Sequence, residues 1–373
     1  MRENGLKVLI AGGGTGGHLF PGLALAEEIV RRDQGHEVLF VGTGRGLEVR
    51  HVPRSGFELR LISVGALKGR GIWGWMTGLL RLPRAVWQSR RIIKQFLPDV
   101  VVGVGGYSSG PVMLAAWLRR LPTMILEQNA LPGMTNRWLG KIVRAVVTAF
   151  PEAEKFFSGG KVHLLGNPVR RALVENLTLG DHERTGKHLL VFGGSQGARA
   201  LNQIVPQAAA LLMPSFADLQ IVHQTGEREH KQVERLYAEL GLAARVLPFI
   251  DDMASAYRLA DLVVCRAGAT TLAELSLSRK PAVLIPFPHA ADNHQEVNGG
   301  ALVEAGAAIM IRQSELSAER LAESIGSILD DPERLVRMAK ASEAVGRPGA
   351  AREICDLCLQ LARGARVPAG EGA

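Results

Sequence analysis

The sequence predicts an α/β protein made of two similar domains, each with a parallel sheet covered by helices. Three observations support this class. Apolar runs typical of buried strands alternate with helix-like segments, as in parallel sheets with crossover connections. A strand, a glycine-rich turn and a helix follow one another near residue 7 and again near residue 188. Finally, 373 residues are too many for one ordinary core.

The first domain is predicted over residues 1–165. After the opening strand and its glycine turn, LALAEEIVRR places its apolar residues at helical spacing. A second glycine-rich turn, GGYSSGP, follows the fourth apolar run and precedes the helical PVMLAAWLRR. The predicted strands are residues 7–11, 37–43, 57–64, 99–106, 123–129, 143–150 and 162–170.

The second domain is predicted over residues 166–345, and residues 171–187 are expected to form a linker because they are polar and contain no strand-like run. From residue 317 the pattern is helical, and a last helix, about 349–363, is expected to join the first domain. Residues 364–373 are expected to be a disordered tail. The predicted strands are residues 187–192, 219–226, 244–250, 261–268, 281–287 and 307–312.

Charge is distributed unevenly along the chain. Residues 1–165 contain 22 Lys and Arg against 11 Asp and Glu, whereas residues 166–373 contain 22 against 25. A basic half is expected to meet an anionic partner or surface. No run of about 18 apolar residues and no signal-peptide pattern is visible, so we expect a cytoplasmic protein without a membrane span. Cys355 and Cys358 lie in a helical pattern and are expected to be ordinary helix residues.

The stretch GGGTGGHLFPG, residues 12–22, carries the strongest functional signal. A strand-to-helix turn of this kind gathers backbone N–H groups at the carboxyl end of a parallel strand, where α/β sheets bind phosphates. Gly12, Gly14 and Gly17 also fit the dinucleotide fingerprint, but the second strand ends in Gly42 and Thr43 without the acid that would hold a ribose. A phosphate- or sugar-facing loop is favoured, a purely structural turn remains open, and His18 lies at the edge of the turn.

Three later stretches also have functional patterns. The turn Gly193–Gly197 opens a helix but lacks the Walker lysine, which argues against ATP hydrolysis. In CRAGATTLAE, Glu274 fits either a ribose ligand or a helix-capping partner for Thr270. In FPHAADNHQ, His289, Asp292 and His294 fit sugar hydroxyls better than a metal, because the chain contains no Asp-x-Asp.

The acid-free stretch from Leu59 to Pro98 combines basic residues with tryptophan and aliphatic residues. This composition is typical of a surface that rests on an anionic membrane. A core helix pair with a solvated basic face is the alternative, and nucleic acid is a third option unsupported by any recognised module. The proposed membrane patch is Ile72, Trp73, Trp75, Met76, Leu79, Leu80, Lys68, Arg70, Arg81 and Arg84.

Eight ordered motifs between residues 7 and 300 give the chain a specific resemblance: GGGTGGHLFPGLALA, GGYSSGP, EQN, GNPVR, GGSQGARALN, FIDDM, CRAGATTLAE and PHAADNHQ. Together they resemble the bacterial transferases that move N-acetylglucosamine from UDP-N-acetylglucosamine to undecaprenyl-linked lipid I and so make lipid II for peptidoglycan. The resemblance implies a glycosyltransferase-B fold, in which two Rossmann-like parallel-sheet domains face an interdomain cleft. It also implies a peripheral location on the cytoplasmic face of the bacterial membrane, cell-wall synthesis proteins as partners, and no nucleic acid.

The resemblance assigns roles to individual residues. His18 matches the family's general base. The loops expected to face the acceptor diphosphate are Gly14, Gly105, Gly106, Tyr107 and Ser108. The positions expected to bind the donor are Thr15, Gly16, Gly17, Asn129, Arg170, Ser195, Gln196, Ile250, Thr270, Thr271, Glu274 and Gln295, with Ser195 at the diphosphate, Ile250 at uracil and Glu274 at the ribose.

The chemistry implied is a single displacement that inverts the anomeric carbon from α to β. The 4-hydroxyl of the N-acetylmuramyl unit attacks opposite the UDP, and no metal or cofactor takes part. A histidine suits the removal of that proton, since its ordinary pKa lies near neutrality. Two alternatives stay open: a related enzyme of the same fold with another acceptor, and a catalytically inert sugar-nucleotide binder at the membrane surface.

Overall fold

The computed structural model of the protein describes residues 5–44, 46–64, 71–177, 186–194, 196–290 and 293–364, with the backbone alone for residues 71–81. Its contacts divide the chain into two compact units, Met1–Arg171 with Gly349–Ala373, and Ala172–Pro348. Several predicted features lie outside this description: Lys68, Arg70, Ser195, Asp292, the tail beyond residue 364, and the side chains of Ile72, Trp73, Trp75, Met76, Leu79, Leu80 and Arg81.

The first unit contains a seven-stranded parallel sheet in the order β3-β2-β1-β4-β5-β6-β7. Valine-rich strands such as Val100–Gly105 are buried along their whole length, as expected for a sheet covered on both faces. The strands are β1 Lys7–Gly12, β2 Glu37–Gly42, β3 Glu58–Leu61, β4 Val100–Gly105, β5 Thr123–Glu127, β6 Ala145–Thr148 and β7 Val162–Leu164.

The helices of this unit lie between successive strands of the chain. They are α1 Gly16–Arg32, α2 Glu48–Arg54, α3 Gly71–Phe96, α4 Ser109–Leu118 and α5 Met134–Leu139, with a 3₁₀ helix at Pro151–Phe156. The alternative for the basic stretch named a pair of core helices, and the pair is wrong, because α3 is one continuous helix that contains Pro83. Its second half buries Ile92, Ile93 and Phe96 in the core.

The second unit repeats this topology with six strands in the order β10-β9-β8-β11-β12-β13, again parallel. The strands are β8 His188–Phe192, β9 Gln220–Gln224, β10 Arg245–Leu247, β11 Leu262–Cys265, β12 Ala282–Leu284 and β13 Ala308–Met310. The two parallel-sheet units confirm the predicted fold class. In each sheet the strand order reverses between the first and fourth strands, and ligands of open α/β sheets bind outside the carboxyl ends of strands at such a point.

The helices of the second half begin with α6 Arg171–Leu177, so the expectation of a plain linker there needs correction. Apolar Ala172, Leu173 and Val174 are helix-compatible, and Leu173 is buried. The remaining helices are α7 Arg199–Leu212, α8 His230–Glu239, α9 Met253–Leu259, α10 Ala269–Leu277, α11 His294–Glu304, α12 Ala318–Leu329 and α13 Pro332–Ala344, with a 3₁₀ helix at Gln313–Glu315.

The last helix, α14 Ala350–Ala362, packs into the core of the first unit. Ile354, Cys355 and Cys358 are buried beside residues of α1. Burial raises the pKa of the Cys355 thiol to about 12, so these cysteines behave as apolar core residues. Within the described residues, no helix is both long enough and apolar enough to cross a membrane.

Candidate active site

Two glycine turns meet at the carboxyl end of the first sheet. The turn after β1 and the turn after β4 are in register through Gly12 and Gly105, which are paired residues. Gly14, Gly105 and Gly106 have φ values of 91°, 93° and 82°, a region that L side chains rarely occupy. A Cβ on Gly106 would collide with the Gly13 carbonyl oxygen. Glycine is therefore required here both by conformation and by the close approach of the two turns.

The first turn is anchored by a buried carboxylate that the sequence did not single out. Glu48, at the start of α2, is fully buried. One of its oxygens accepts a hydrogen bond from the Gly14 N–H at 2.7 Å, and the other accepts from the N–H and hydroxyl of Thr43 at 2.9 Å. Glu48 therefore joins the end of β2 to the glycine turn, and the Gly14 N–H has a partner within the protein. Thr15 and Gly17 remain exposed at the start of α1.

His18 lies in the first turn of α1 with its ring against β4. Its Nδ1 is 3.2 Å from the Oε1 atom of Gln128, and the backbone of Val104 also hydrogen-bonds the ring. A Cβ on Gly105 would stand 2.6 Å from Nδ1, so the absence of a side chain at Gly105 makes room for the ring. Burial lowers the pKa of His18, while the hydrogen bonds to Gln128 and Val104 oppose that change. The imidazole is therefore biased toward its neutral form.

Gln128 and Asn129 follow β5, and Glu127 fixes the segment that contains them. The Glu127 carboxylate is buried and accepts four hydrogen bonds. One oxygen accepts from the N–H and side-chain amide of Asn129, and the other from the Gly133 N–H and the Asn136 amide. Burial nevertheless raises the pKa of Glu127.

Arg170 is placed next to α1 in the same unit. Its guanidinium lies over the ring of Phe20 at 4.9 Å, and the Phe20 ring meets the His51 ring edge to face. The buried Nε atom of Arg170 has no hydrogen-bond partner among the residues that the structure describes. A buried guanidinium N–H of this kind fits an anion or a carbonyl as an external partner. Among the other predicted positions, Tyr107 is 46% exposed, whereas Ser108 is buried.

In the second unit, the turn Gly193–Gly197 joins β8 to the N-terminal end of α7. Gly194 and Gly197 have φ values of 88° and 74°. A Cβ on Gly197 would collide with the Thr225 carbonyl, so the turn packs closely on the end of β9. Asn202 of α7 reinforces this contact by donating to Thr225 O at 3.0 Å and to Glu229 at 2.6 Å. Gln196 is exposed.

Glu274 lies in the second turn of α10, and its capping role is not what the structure shows. Gly268 is the N-cap residue, and no acidic residue lies in the first turn. The Glu274 carboxylate instead accepts a hydrogen bond from the hydroxyl of Tyr257 at 3.0 Å. Tyr257 is fully buried in α9 and packs edge to face on Phe192. The Thr270 hydroxyl, at the start of the same helix, is buried and has no partner within the described part of the chain.

Arg266 supports the loop that follows β12. Its guanidinium donates to the carbonyls of Ile285 and Pro286 at 3.1 Å and to the Gln313 side chain at 2.7 Å. Burial lowers its pKa to about 10. Gln295 holds the other side of this loop, since its Oε1 accepts from the Phe287 N–H at 2.9 Å. Ile250, which follows β10, is buried. His294 begins α11.

Metal ligands are not grouped in the parts of the chain that the structure describes: no three His, Cys, Asp or Glu side chains come together there. His289 packs edge to face on Phe287. The third residue of the metal alternative, Asp292, lies outside the described residues.

A basic and aromatic surface lies on α3 and α4 of the first unit. Trp87 is 61% exposed, and Trp117 is 45% exposed. A groove of about 800 Å³ between the helices is lined by Leu82, Val86 and Leu114 and bordered by Arg90, Lys94 and Arg119. We call these residues, with the exposed Arg84 and Arg91, the α3–α4 surface.

Comparison with known proteins finds two family models in succession. Residues 8–148 match the N-terminal domain of glycosyltransferase family 28, and residues 188–354 match its C-terminal domain. Three similar relatives share the name UDP-N-acetylglucosamine–N-acetylmuramyl-(pentapeptide) pyrophosphoryl-undecaprenol N-acetylglucosamine transferase. The protein from Anaeromyxobacter sp. strain K is 55% identical over 96% of this chain and 94% of its own. The relatives from Myxococcus xanthus and Geobacter sulfurreducens are 55% and 46% identical, over 95% and 94% of this chain and 93% and 97% of their own.

Solved structures also include a similar member of this family. The crystal structure of Acinetobacter baumannii MurG has a TM-score of 0.77 and 32% sequence identity, and the match covers 95% of this chain and 99% of that one. A UDP-N-acetylglucosamine 2-epimerase from Neisseria meningitidis, 13% identical with a TM-score of 0.69 over 95% of this chain and 100% of its own, shares the fold alone.

Proposed function

The chain belongs to glycosyltransferase family 28, and from that membership we infer that it is an N-acetylglucosaminyltransferase of peptidoglycan synthesis. It transfers N-acetylglucosamine from UDP-N-acetylglucosamine to the N-acetylmuramyl unit of lipid I, which yields the β-1,4-linked disaccharide of lipid II. The observation that carries this conclusion is 55% identity over 96% of the chain to a relative whose name states the donor and the acceptor. The family models also match both units.

His18 is proposed as the general base of the first unit. The 4-hydroxyl of the acceptor must lose a proton as it attacks the anomeric carbon, and a neutral imidazole accepts it. The lowered pKa of His18 keeps the ring unprotonated at neutral pH. The glycine turns around it, Gly12–Gly17 and Gly105–Ser108, are proposed to hold the acceptor diphosphate through backbone N–H groups.

The donor nucleotide is proposed to bind the second unit. The turn Gly193–Gly197 precedes α7, and Gly268 precedes α10, so two helix N-termini lie at the carboxyl ends of the adjacent strands β8 and β11. Negative charge that develops on the leaving UDP is stabilised by such N-termini. Glu274 is proposed to accept hydrogen bonds from the ribose, the backbone at Ile250 to pair with uracil, and Gln295 to contact the sugar. Asn129 and Arg170 complete the proposed donor contacts.

The direct test is transfer of labelled N-acetylglucosamine from the UDP sugar to purified lipid I, with product identified as lipid II. A reaction without acceptor measures donor hydrolysis, and a soluble disaccharide acceptor tests for another specificity. Transfer only to the soluble acceptor would favour a related enzyme, and UDP binding without turnover would favour an inert binder. Because helix N-termini supply the charge stabilisation, transfer should persist in excess EDTA, and loss restored by Mg²⁺ would contradict this.

Membrane association is proposed to occur through the α3–α4 surface and the preceding part of α3. The acceptor has a polyprenyl anchor, so the enzyme must reach a bilayer at its cytoplasmic face. Exposed tryptophans beside Arg and Lys are suited to an anionic lipid surface. Proteins of the cell-wall synthesis machinery are proposed as further partners at that location.

A further inference from the structure

The contacts of the His18 ring define which nitrogen holds its hydrogen. Gln128 is the key neighbour, because its amide has one donor end and one acceptor end. The amide nitrogen donates to the Val104 carbonyl oxygen at 3.2 Å. A carbonyl oxygen can only accept, so the opposite orientation of the amide would place two acceptors against each other. The oxygen end, Oε1, therefore faces the Nδ1 atom of His18 at 3.2 Å.

Two hydrogen-bond partners hold the imidazole. Gln128 Oε1 approaches Nδ1, and the Val104 backbone also hydrogen-bonds the ring. The Gln128 oxygen is satisfied only when Nδ1 carries the hydrogen, which leaves the lone pair on Nε2. The groups that contact the ring from β4 and from the segment after β5 are uncharged: Gln128, Val104 and Gly105. Among the described residues, no charged side chain contributes to the shifted pKa of His18.

We propose that Gln128 is a positioning residue that fixes the Nδ1–H tautomer of His18 and so presents Nε2 as the proton-accepting atom. This inference rests on the proposed function of His18 as the general base. In the reaction, Nε2 takes the proton of the acceptor hydroxyl, and the resulting imidazolium keeps its Nδ1–H bond to Gln128. The bond becomes charge-assisted at that moment, so Gln128 stabilises the transition state more than the ground state.

The first test is kinetic. Gln128→Leu removes the acceptor and should lower kcat by about 10- to 100-fold, the effect of a hydrogen bond to a charged group, with the KM for UDP-N-acetylglucosamine unchanged. Gln128→Glu keeps an acceptor oxygen beside Nδ1 but loses the donor to the Val104 carbonyl, and its negative charge should raise the pKa of His18, so the fall of kcat at acid pH should move to higher pH. The matched control is Thr148→Val on β6, which is also buried and whose hydroxyl has no hydrogen-bond partner in the described residues. A Gln128→Leu enzyme with wild-type kcat, or a Gln128→Glu enzyme whose pH profile is the same as that of wild type, would overturn the proposal.

The second test is spectroscopic and independent of turnover. In protein labelled with ¹⁵N-histidine, the His18 signals are identified by their loss in His18→Ala. Wild type should show a protonated Nδ1 and an unprotonated Nε2, and Gln128→Leu should shift His18 toward the opposite tautomer. A wild-type ring protonated on Nε2 refutes the tautomer assignment.

Failure of the base assignment is distinguishable from failure of this inference. If His18→Ala retains near-normal kcat, the proposed function of His18 fails, whatever tautomer the spectra show. If His18→Ala is slow but Gln128→Leu is not, His18 remains the base and Gln128 loses its role. In the double variant, Gln128→Leu should add no further loss to His18→Ala, because the two residues act as one unit.

Discussion

His18 is the single side chain whose removal we expect to slow transfer most. His18→Ala should lower kcat by about 10² to 10⁴, the usual contribution of a general base, and leave UDP binding intact. In the pH profile of wild-type kcat, the fall on the acidic side should lie below the ordinary histidine pKa of about 6.5, because the pKa of His18 is lowered. Activity should therefore fall only when the pH drops through that lower value. Steady-state kinetics from pH 5 to 9 measure both quantities.

A matched histidine controls for damage to the same sheet. His36 accepts a hydrogen bond from the Leu6 N–H, next to the amino-terminal ends of β1 and β2. His36→Gln should reduce the stability of the folded protein without changing the fall of kcat at acid pH. If His18→Ala keeps wild-type turnover, another group removes the proton.

Glu274 should act on donor affinity instead of on rate. Glu274→Ala should weaken UDP binding by about 1.5 to 3 kcal/mol, since it removes hydrogen bonds to a charged carboxylate. Tyr257→Phe keeps the buried ring against Phe192 but removes the hydroxyl that donates to Glu274. This smaller change should weaken UDP binding by about 0.5 to 1.5 kcal/mol. Calorimetric titration with UDP gives both values.

The ligand itself supplies the control for this assignment. UDP that lacks the 2′- and 3′-hydroxyls should bind wild type and Glu274→Ala equally weakly, because the contact that the variant removes is already absent. Equal UDP affinity in wild type and Glu274→Ala would instead make Glu274 a structural partner of Tyr257.

A buried titratable pair between strand β9 and helix α8 should make the second unit sensitive to acid. His223 is fully buried, and its Nδ1 lies 3.0 Å from the Tyr237 hydroxyl of α8. Burial lowers the pKa of His223 to about 3. The unfolded chain therefore binds more protons than the folded chain between about pH 3 and pH 6.5, so stability is full above 6.5 and declines below it. Between pH 7.5 and pH 5 the loss should be about 2 kcal/mol.

His223→Gln tests this, because glutamine retains polarity without titrating. The stability of wild type relative to the variant should fall by about 2 kcal/mol between pH 7.5 and pH 5, and the other titrating groups cancel in that difference. All five tryptophans lie within residues 73–138 of the first unit. Tryptophan fluorescence therefore reports the first unit. A urea transition that is seen by circular dichroism but not by tryptophan fluorescence reports the second unit. A difference that stays constant with pH would show that His223 does not control the acid response.

Strands and glycine turns were predictable because their signals are local. Burial on both faces makes β4 and β11 continuous apolar runs, and left-handed φ values select Gly14 and Gly105 by residue type. Helix α6 was missed because seven residues form too short a pattern between polar neighbours. Short helices are stabilised by tertiary burial, here of Leu173, more than by propensity.

Across the whole chain, repetition of strand, turn and helix predicted two sheets of the same topology. Pairs that support the candidate site were not predictable, because their partners are distant in sequence. His18 and Gln128 are 110 positions apart, and Gly14 and Glu48 are 34 apart. A buried carboxylate such as Glu48 gives no hydrophobic pattern, so only the fold reveals which N–H groups it accepts from. Sequence therefore identified residues proposed to touch substrate better than residues that hold them in place.

Binding of the whole enzyme to a bilayer is the last expectation, and it should have an apolar and an electrostatic part. Trp73→Ser/Trp75→Ser and Trp87→Ser should each reduce sedimentation with neutral and anionic vesicles alike, because they remove interfacial aromatic area. Lys68→Glu/Arg70→Glu and Arg84→Glu/Arg90→Glu should remove the preference for anionic vesicles, and high salt should do the same to wild type. Each basic residue contributes about 1 kcal/mol, so several must act together.

Val336→Ser is the matched control, since Val336 is an exposed apolar residue of the second unit. It should sediment like wild type on both kinds of vesicle. Melting temperatures of all variants separate membrane binding from folding. If the tryptophan and charge variants sediment like wild type but unfold at lower temperature, the first part of α3 belongs to the core. The enzyme would then have to reach its polyprenyl-anchored acceptor through another surface.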